Sequence, residues 1–370
     1  MQYRLQGENM KQQEIESPAA RIPFRAGLSR FIDIDLCTFQ LYAPPVPRFV
    51  EQEIEHLYEN VYCTLSRMNI YGFDDNAHTF ISKYDGKITD IFIFRISGAT
   101  ALVLNQQITI PECRIRYFVD TILSLFSRIK VVHFFAIDVE ISDSWRLFHK
   151  WEAVRENIIA LPENRSDFDQ KLSASFRYSL RSCYRKLLAY FPSFNIQFYS
   201  GKEISDKDAQ AVIELTHQRM AVKGNSSYLK ERDTVRIMQV LKNYGMLCVA
   251  TIDDKVCGGS LWYAVGRRHM MHVISHDPLY DRYALGNCLN YQVFLYCMEQ
   301  LGKECWMMGG NEVHKARFGA IPFKLYSYRF YRSHRNILRY FFDRALFMTV
   351  SLYNKLIPKV TGRIREWRRK

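Results

Sequence analysis

The stretch that decides the fold is residues 245–276, which read GMLCVATIDDKVCGGSLWYAVGRRHMMHVISH. It contains three apolar, β-type runs that are separated only by the pairs Asp253-Asp254 and Gly266-Arg267. Both pairs are typical of two-residue hairpin turns, because their residues tolerate a left-handed backbone. The stretch therefore predicts an antiparallel meander with strands at 245–252, 255–265 and 269–275.

Helical and β-type segments flank this meander on both sides. Leu289, Val293, Tyr296 and Cys297 share one face at helical spacing, which predicts a helix over 286–301. The other flanking segments are a strand at 194–199, helices at 206–221 and 230–243, a strand at 305–308, the loop Gly309-Gly310-Asn311 and a strand at 325–331. The second half of the chain thus predicts an α/β unit with a largely antiparallel sheet.

The sequence of the first half predicts a second α/β unit. Apolar positions at helical spacing predict a helix over 49–68, and two β-type runs around Ser97-Gly98-Ala99-Thr100 predict a hairpin at 91–96 and 101–104. A helix over 113–128 and a strand at 131–139 follow.

A helix that begins at Ser166 carries an apolar stripe to Leu187, and Arg177, Arg181 and Arg185 form a cationic ridge on another face. That ridge is either solvated or binds a phosphate-bearing substrate or membrane.

Composition indicates a folded intracellular protein. Of its 370 residues, 48% are hydrophobic and 14% are aromatic, which is far from the composition of disordered chains. Residues 1–11 lack the apolar run of a secretory signal, so we expect the protein to stay inside the cell. The nine cysteines are scattered without a CxxC pair, which favours buried free thiols over disulfides or a metal site.

The positive charge is concentrated at the C-terminal end. Residues 331–370 carry eleven basic side chains against two acidic ones, a net +9 out of the +13 of the whole chain. Apolar residues surround the predicted helix at 334–357, but charges leave about ten uninterrupted residues, too few to span a bilayer. The tail predicts contact with an anionic partner, either a membrane surface or nucleic acid.

Several short motifs carry a resemblance to a known superfamily. They are HQRMAVKG (217–224), GGS (258–260), HDP (276–278) with YDRY (280–283), and GGN (309–311) running to HKARFG (314–319). With the order of elements, these motifs resemble the GNAT acetyltransferases, and within them the double-domain branch of the Fem-type peptidoglycan aminoacyl transferases. The resemblance covers roughly residues 80–333 and is strongest after Ser166. In length and basic tail the chain is also similar to the Mig family of antimicrobial-peptide resistance proteins.

The resemblance implies an α/β fold of two tandem GNAT-like units, with mixed, largely antiparallel sheets flanked by helices and a basic C-terminal helical tail. The expected divisions are a flexible leader (1–30), an N-terminal GNAT-like half (31–160), a C-terminal acyltransferase half (161–333) and the tail (334–370).

A donor site is expected where the predicted helix after the meander begins. A helix N-terminus offers unpaired N–H groups and partial positive charge, which suit the pyrophosphate of coenzyme A. The donor is predicted to be acyl-coenzyme A, with aminoacyl-tRNA open because the loop has a single glycine; no metal is expected. The predicted donor-binding residues are Arg282, Tyr283, Leu285, Gly286 and Asn287.

Catalysis by amide-forming transfer needs a base for the incoming amine and a group that stabilises the leaving atom. Candidates at strand or loop ends are His276, Asp277 and Glu312. Cations on the acceptor side would suit an anionic precursor, and the candidates are Arg219, Lys223, Lys315 and Arg317.

Together these features predict an acyl or aminoacyl transferase that modifies an amine or hydroxyl of a cell-envelope precursor. It would be cytoplasmic and peripheral on the inner face of the cytoplasmic membrane, and it would contribute to antimicrobial-peptide resistance. The alternative is a non-catalytic GNAT-fold envelope-stress protein that binds membrane or peptide. Nucleic-acid binding through the tail is less favoured, except for tRNA as a donor, because no recognised nucleic-acid motif occurs.

Overall fold

The computed structural model describes residues 37–142, 145, 147–222, 224, 229, 231–310 and 312–338. The leader predicted at 1–30 and the predicted tail from 339 onward lie outside these residues. Within the described part of the chain, no helix is long and apolar enough to cross a membrane. The nine cysteines are all free thiols, as the sequence predicts.

The described residues of the first half form seven strands and three α-helices. In chain order they are β1 (Cys37–Tyr42), α1 (Val50–Tyr58), α2 (Leu65–Ile70), β2 (Ala77–Tyr84), β3 (Lys87–Ser97), β4 (Thr100–Val103), β5 (Ile108–Thr109), α3 (Glu112–Leu125), β6 (Val131–Asp138) and β7 (Phe148–Ala160).

The second half begins with two helices and then follows the predicted order. Its elements are α4 (Arg165–Lys171), α5 (Ala174–Tyr190), β8 (Asn195–Ser200), α6 (Asp206–Val222), α7 (Glu231–Tyr244), β9 (Gly245–Ile252), β10 (Lys255–Val265), β11 (Arg268–His276), α8 (Leu285–Glu299), β12 (Glu304–Trp306), α9 (Glu312–Ala316) and β13 (Ile321–Tyr331). The meander is confirmed: β9 and β11 both pair antiparallel with β10. Asp253 and Asp254 have φ of 50° and 58°, as a type I′ turn requires.

All described strands belong to one mixed sheet that runs through both halves. Its order is β1-β2-β3-β4-β6-β13-β7-β12-β11-β10-β9-β8, with β5 beside β6. The last strand, β13, lies between β6 and β7 and pairs antiparallel with both. Strand β7 in turn pairs with β12, so the two halves are joined by continuous strand pairing.

Helices cover the sheet, and three apolar clusters fill the space between them. The first half has its own core, in which the rings of Phe80, Phe92, Phe94 and Phe134 each contact the ring of Phe118. In the second half, α4, α5 and α8 pack on one face of the sheet, while α6 and α7 pack on the other. The predicted mixed α/β architecture, a largely antiparallel sheet flanked by helices, is therefore confirmed.

Two predicted helices are interrupted in the structure. The helix predicted at 49–68 ends at Tyr58, because Glu59 is left-handed and the Asn60 side chain accepts a bond from the Tyr62 amide instead. The helix predicted from Ser166 to Leu187 is two helices, since Ser173 caps a new one by accepting from the Phe176 amide. The first of them is capped by Asn164, not Ser166. The stripe from Phe168 to Leu187 still faces the core.

Candidate active site in the cleft between two diverging strands

The candidate site is a cleft that opens where β11 and β12 separate. These two parallel strands pair only from Arg268 to Met270 on one side and from Glu304 to Trp306 on the other. Beyond that point β11 continues to His276 with no paired strand on this side among the described residues, while Met307 stays hydrogen-bonded to Asn157 of β7. The gap exposes backbone and side chains at the middle of the sheet, which is where a ligand can reach the interior.

The cleft has a volume of about 490 Å³. Helix α6, the end of β11, the first turns of α8, and α9 form its walls. The lining side chains include Thr216, Arg219, Met220, Met271, Ile274, Ser275, His276, Asp281, Asn287, Asn290, Met307, His314 and Lys315. Apolar walls with a few convergent polar groups are typical of small-molecule sites.

His276 is the centre of the polar group. Its ring is buried, and Nε2 lies 2.6 Å from Oδ1 of Asp281. Nδ1 lies 3.4 Å from Nη1 of Arg219. Because a carboxylate accepts and a guanidinium donates, this arrangement fixes the neutral ring with its proton on Nε2 and its lone pair on Nδ1.

The surroundings of His276 act on its pKa in opposite directions. Burial lowers the pKa of His276 below its ordinary value, the hydrogen bond to Asp281 raises it, and the charge of Arg219 lowers it again. The net direction is downward. The imidazole is therefore neutral at physiological pH and can accept a proton.

Gly286 makes room for this histidine. A Cβ at position 286 would lie 2.7 Å from Cε1 and 2.9 Å from Nδ1 of His276, closer than side chains pack. The single glycine of this loop is thus required by the packing of the ring on the first turn of α8. Ala284 precedes that turn with φ of 51° and provides no side-chain cap.

A second histidine faces the cleft from α9. Nε2 of His314 lies 2.6 Å from Oδ1 of Asn287, so it donates to that amide oxygen. Burial lowers the pKa of His314, and the charges of Arg317, Arg219 and Lys315 lower it further. His314 is therefore also neutral at physiological pH.

The side chain of Lys315 is bonded to the backbone beside the cleft. Its Nζ donates to the carbonyl oxygens of Met307 at 2.6 Å, Met308 at 2.8 Å and Gly309 at 2.6 Å. This ammonium holds the chain after β12 in the path that opens the cleft.

Sequence comparison identifies this part of the chain. A family model described as "Acetyltransferase (GNAT) domain" matches residues 174–316. Residues 174–316 form a GNAT domain. The match includes α5 to α9 and every strand of the meander, so the cleft lies within it. Among curated proteins, no sequence matches the chain.

Solved structures extend this similarity to the first half. FemX superposes with a TM-score of 0.57 at 8% identity, over 78% of this chain and 97% of that one. L-PGS from Bacillus licheniformis gives 0.48 at 13% identity, over 79% and 94%. A conserved protein of unknown function from Bacteroides thetaiotaomicron gives 0.47 at 13% identity, over 78% and 98%. The FemX match shows the fold: the GNAT domain is part of a Fem-like double-domain architecture.

The structure brings five of the predicted site residues together in the cleft of the GNAT domain. They are Arg219, His276, Gly286, Asn287 and Lys315. Five others are described but lie outside the lining, and Asp277 is one of them. Tyr283 and Leu285 are core residues, Arg282 stacks on Tyr283, and Arg317 stacks on Phe176.

The remaining predicted residues have different outcomes. The side chain of Asp277 accepts from the Leu279 amide at 2.9 Å and so caps the 3₁₀ turn Pro278–Tyr283. Glu312 begins α9, and its side chain lies outside the described part of the structure, as does Lys223.

Asp281 and His314 are the site residues that sequence reasoning missed. Both lie in motifs that were recognised, YDRY and HKARFG, but neither was assigned a role. The available signal was the turn begun by Pro278, which reverses the chain and brings residue 281 back to 276. Sequence spacing alone does not show which of the two aspartates, 277 or 281, returns to the histidine.

Proposed function

We propose that this protein is an acyl or aminoacyl transferase that uses the cleft between β11 and β12 to join an acyl group to an amine or hydroxyl. The observation that carries the proposal is the arrangement of His276 between Asp281 and Arg219 at the end of the unpaired segment of β11. It combines a neutral base, an anion that orients it and a cation in one cleft of a GNAT domain.

His276 acts as the general base. The incoming amine or hydroxyl attacks the acyl carbonyl while its proton passes to Nδ1, the nitrogen that holds the lone pair. Arg219 lies beside Nδ1 at the long distance of 3.4 Å, and it moves aside to admit the acceptor. Asp281 stabilises the resulting imidazolium through its 2.6 Å bond to Nε2.

Arg219 stabilises negative charge on the carbonyl oxygen. Its guanidinium is half-buried and carries five N–H donors, so it can leave the histidine and bond an oxyanion nearby. The bond between acyl carbon and leaving atom then breaks, and the proton held by His276 passes to that leaving oxygen or sulfur.

The proposed transfer is direct, without a covalent acyl-enzyme. No cysteine occurs among the described residues that line the cleft. Burial raises the pKa of Cys257 and of Cys288, which flank the site in sequence, to about 12, so both thiols stay protonated and unreactive.

The residues at the start of α8 fit an aminoacyl ester better than acyl-coenzyme A. A pyrophosphate placed at this helix end would meet the Asp281 carboxylate, whose side chain is 68% exposed. The space at Gly286 is taken by the histidine ring, and Arg282, the predicted phosphate partner, stacks on Tyr283. An aminoacyl-tRNA presents an uncharged ribose next to its ester, which avoids this repulsion.

The proposed acceptor is a precursor of the cell envelope, and the proposed location is the inner face of the cytoplasmic membrane. The Fem-like double-domain fold and the cations around the cleft support this acceptor class. A contribution to antimicrobial-peptide resistance would follow if the transferred group reduced the negative charge of the envelope.

The donor experiment uses two labelled substrates with one acceptor mixture. Purified protein is incubated with bacterial envelope extract and either radiolabelled acetyl-coenzyme A or tRNA charged with radiolabelled amino acids. Label that enters the extract from tRNA alone supports the proposal, and label from acetyl-coenzyme A alone would reject the aminoacyl ester as donor. No transfer from either donor would contradict the enzymatic reading and favour a membrane- or peptide-binding protein.

A further inference from the structure

A second cavity lies on the other side of helix α8, between α4, α5 and α8. Its volume is about 310 Å³. It shares no lining residue with the cleft: the cleft contacts α8 at Gly286, Asn287 and Asn290, whereas this cavity contacts Cys288, Tyr291 and Gln292. We call it the arginine pocket, lined by Arg165, Asp169, Arg177, Leu180, Arg181, Tyr184, Cys288, Tyr291 and Gln292.

Three guanidinium groups converge on this pocket against one carboxylate. Arg165 comes from α4, and Arg177 and Arg181 come from consecutive turns of α5. Asp169 is the only acidic residue in the described lining, which leaves two excess positive charges. A concave surface with two uncompensated cations attracts a dianion.

Hydrogen bonds to Asp169 and Tyr291 hold the three arginines in place but use only one N–H donor of each. Its carboxylate accepts from Tyr291 Oη at 2.6 Å and from Arg181 Nη2 at 3.4 Å. Its backbone oxygen accepts from Arg177 Nη1 at 2.7 Å, and Arg165 Nε donates to Tyr291 Oη at 3.2 Å. Each guanidinium has five N–H donors, so most of them stay available to a ligand.

Beneath the cations the wall is apolar. Leu180 and Cys288 are buried, and Tyr184 lies beside them. Tyr291 stacks on Phe168, with ring centroids 6.1 Å apart, and this holds its hydroxyl toward the arginines. A free inorganic ion would use only the cations, whereas this surface also accommodates a non-polar group attached to the anion.

We propose that the arginine pocket binds an organic phosphate ester, with Arg165, Arg177 and Arg181 on the phosphate and Leu180, Tyr184 and Cys288 against its apolar part. Guanidinium groups bind phosphate oxygens through paired, charge-assisted hydrogen bonds. The ester could belong to a nucleotide or to a phospholipid head group. The site stands independently of the reaction proposed for the cleft.

The sequence offers a matched control on the same helix. Arg185 lies one turn beyond Arg181 on α5 and is exposed, but it does not line the pocket. Changing Arg185→Gln removes the same charge from the same helix as changing Arg181→Gln. The test variants are therefore R181Q and R185Q, which are matched in charge, together with the double variant R177Q/R181Q, which removes both pocket arginines of α5.

Binding is measured with three probes that carry a phosphate monoester: AMP and glycerol 3-phosphate by calorimetric titration at low salt, and phosphatidylcholine vesicles containing phosphatidic acid by flotation. We expect the wild type and R185Q to bind at least one probe alike, and R177Q/R181Q to bind it more weakly by at least about tenfold. AMP alone would identify a nucleotide; glycerol 3-phosphate with vesicles would identify a lipid head group. Equal binding of all probes by R177Q/R181Q and the wild type, or no binding of any probe, would overturn the proposal.

Discussion

His276 lies between an anion and a cation, and the two neighbours should shift its pKa in opposite directions. Asp281 favours the protonated ring and Arg219 disfavours it. We therefore expect Asp281→Asn to lower the pKa of His276 and Arg219→Gln to raise it. NMR titration of the His276 Cε1 proton measures both directly, without an activity assay.

Arg185→Gln is the control for this pair, because Arg185 is not among the charged groups that act on the pKa of His276 and its removal should leave the titration unchanged. Shifts of D281N and R219Q in the same direction would mean that the ring is not held between these two groups.

A substitution at Gly286 tests the same geometry, because it adds a side chain beside the histidine ring. A Cβ there would be 2.7 Å from the His276 ring, so Gly286→Ala must displace the ring or the start of α8. We expect transfer activity to fall by about a hundredfold, since small misplacements of a catalytic group have effects of this size. The double variant G286A/H276A should recover the stability that G286A loses, measured by urea unfolding, but not its activity. Wild-type activity of G286A would contradict the close packing.

The role of Gly286 shows where residue-level prediction ends. The glycine and the histidine were both recognised from the sequence, but the glycine was assigned to phosphate binding. Its packing against His276 joins two residues on different elements, and that distance depends on the turn between them. The same turn determines that Asp281, not Asp277, contacts the histidine.

At the scale of elements, the meander and its flanking helices were predicted to within one or two residues, because each has a clear period and sharp turn residues. Strands β1, β2, β5 and β7 were missed. The apolar residues of β2 and β7 do not alternate strictly with polar ones, β5 has only two residues, and β1 was missed although its sequence CTFQLY does alternate. The helices predicted at 49–68 and from 166 were too long, because polar caps at Asn60 and Ser173 interrupt stripes that remain apolar throughout.

Gly302, in the turn from α8 into β12, packs closely against the ring of His269. A Cβ on Gly302 would lie 2.5 Å from two ring atoms of His269, whose Nδ1 accepts from Trp262 Nε1 at 3.1 Å. Gly302→Ala should therefore reduce the free energy of unfolding by about 1–3 kcal/mol, as overpacking does. Urea unfolding measures it, with Lys303→Ala, an exposed neighbour, as the control. A loss no larger than that of the control would contradict the packing of this turn.

At the scale of the whole molecule, β7 joins the two halves and carries a buried acid. Glu156 is 6% exposed, and burial raises its pKa to about 7 against the opposing charge of Lys315. Because the folded protein holds this proton more tightly than the unfolded chain, stability should decrease as the pH rises from 4.5 through 7. The decrease attributable to Glu156 is about 3 kcal/mol.

Glu156→Gln should remove this part of the pH dependence, so that the variant is more stable than the wild type at pH 8. Urea unfolding across this pH range measures the difference, and Glu163→Gln, at an exposed acid near the end of β7, should behave like the wild type. If the stability of E156Q decreased with pH as steeply as that of the wild type, Glu156 would ionise without cost in the folded protein.

The whole-molecule arrangement could be predicted only in part. The two GNAT-like layers followed from the order of elements and from the motifs. The position of β13 between β6 and β7 could not be predicted, because pairing over such sequence separation leaves no local pattern. In the sheet the final strand returns to the first half, while the division at 160/161 stays a prediction.

The most direct test of His276 as the general base compares transfer by the wild type, His276→Ala and His56→Ala, using the donor that labels envelope extract. His56 is exposed on α1 and provides the matched control. With folding verified by circular dichroism, we expect H276A to lose at least about a hundredfold in kcat, the usual contribution of a general base, while H56A keeps wild-type activity. A folded H276A variant that transfers at the wild-type rate would contradict it.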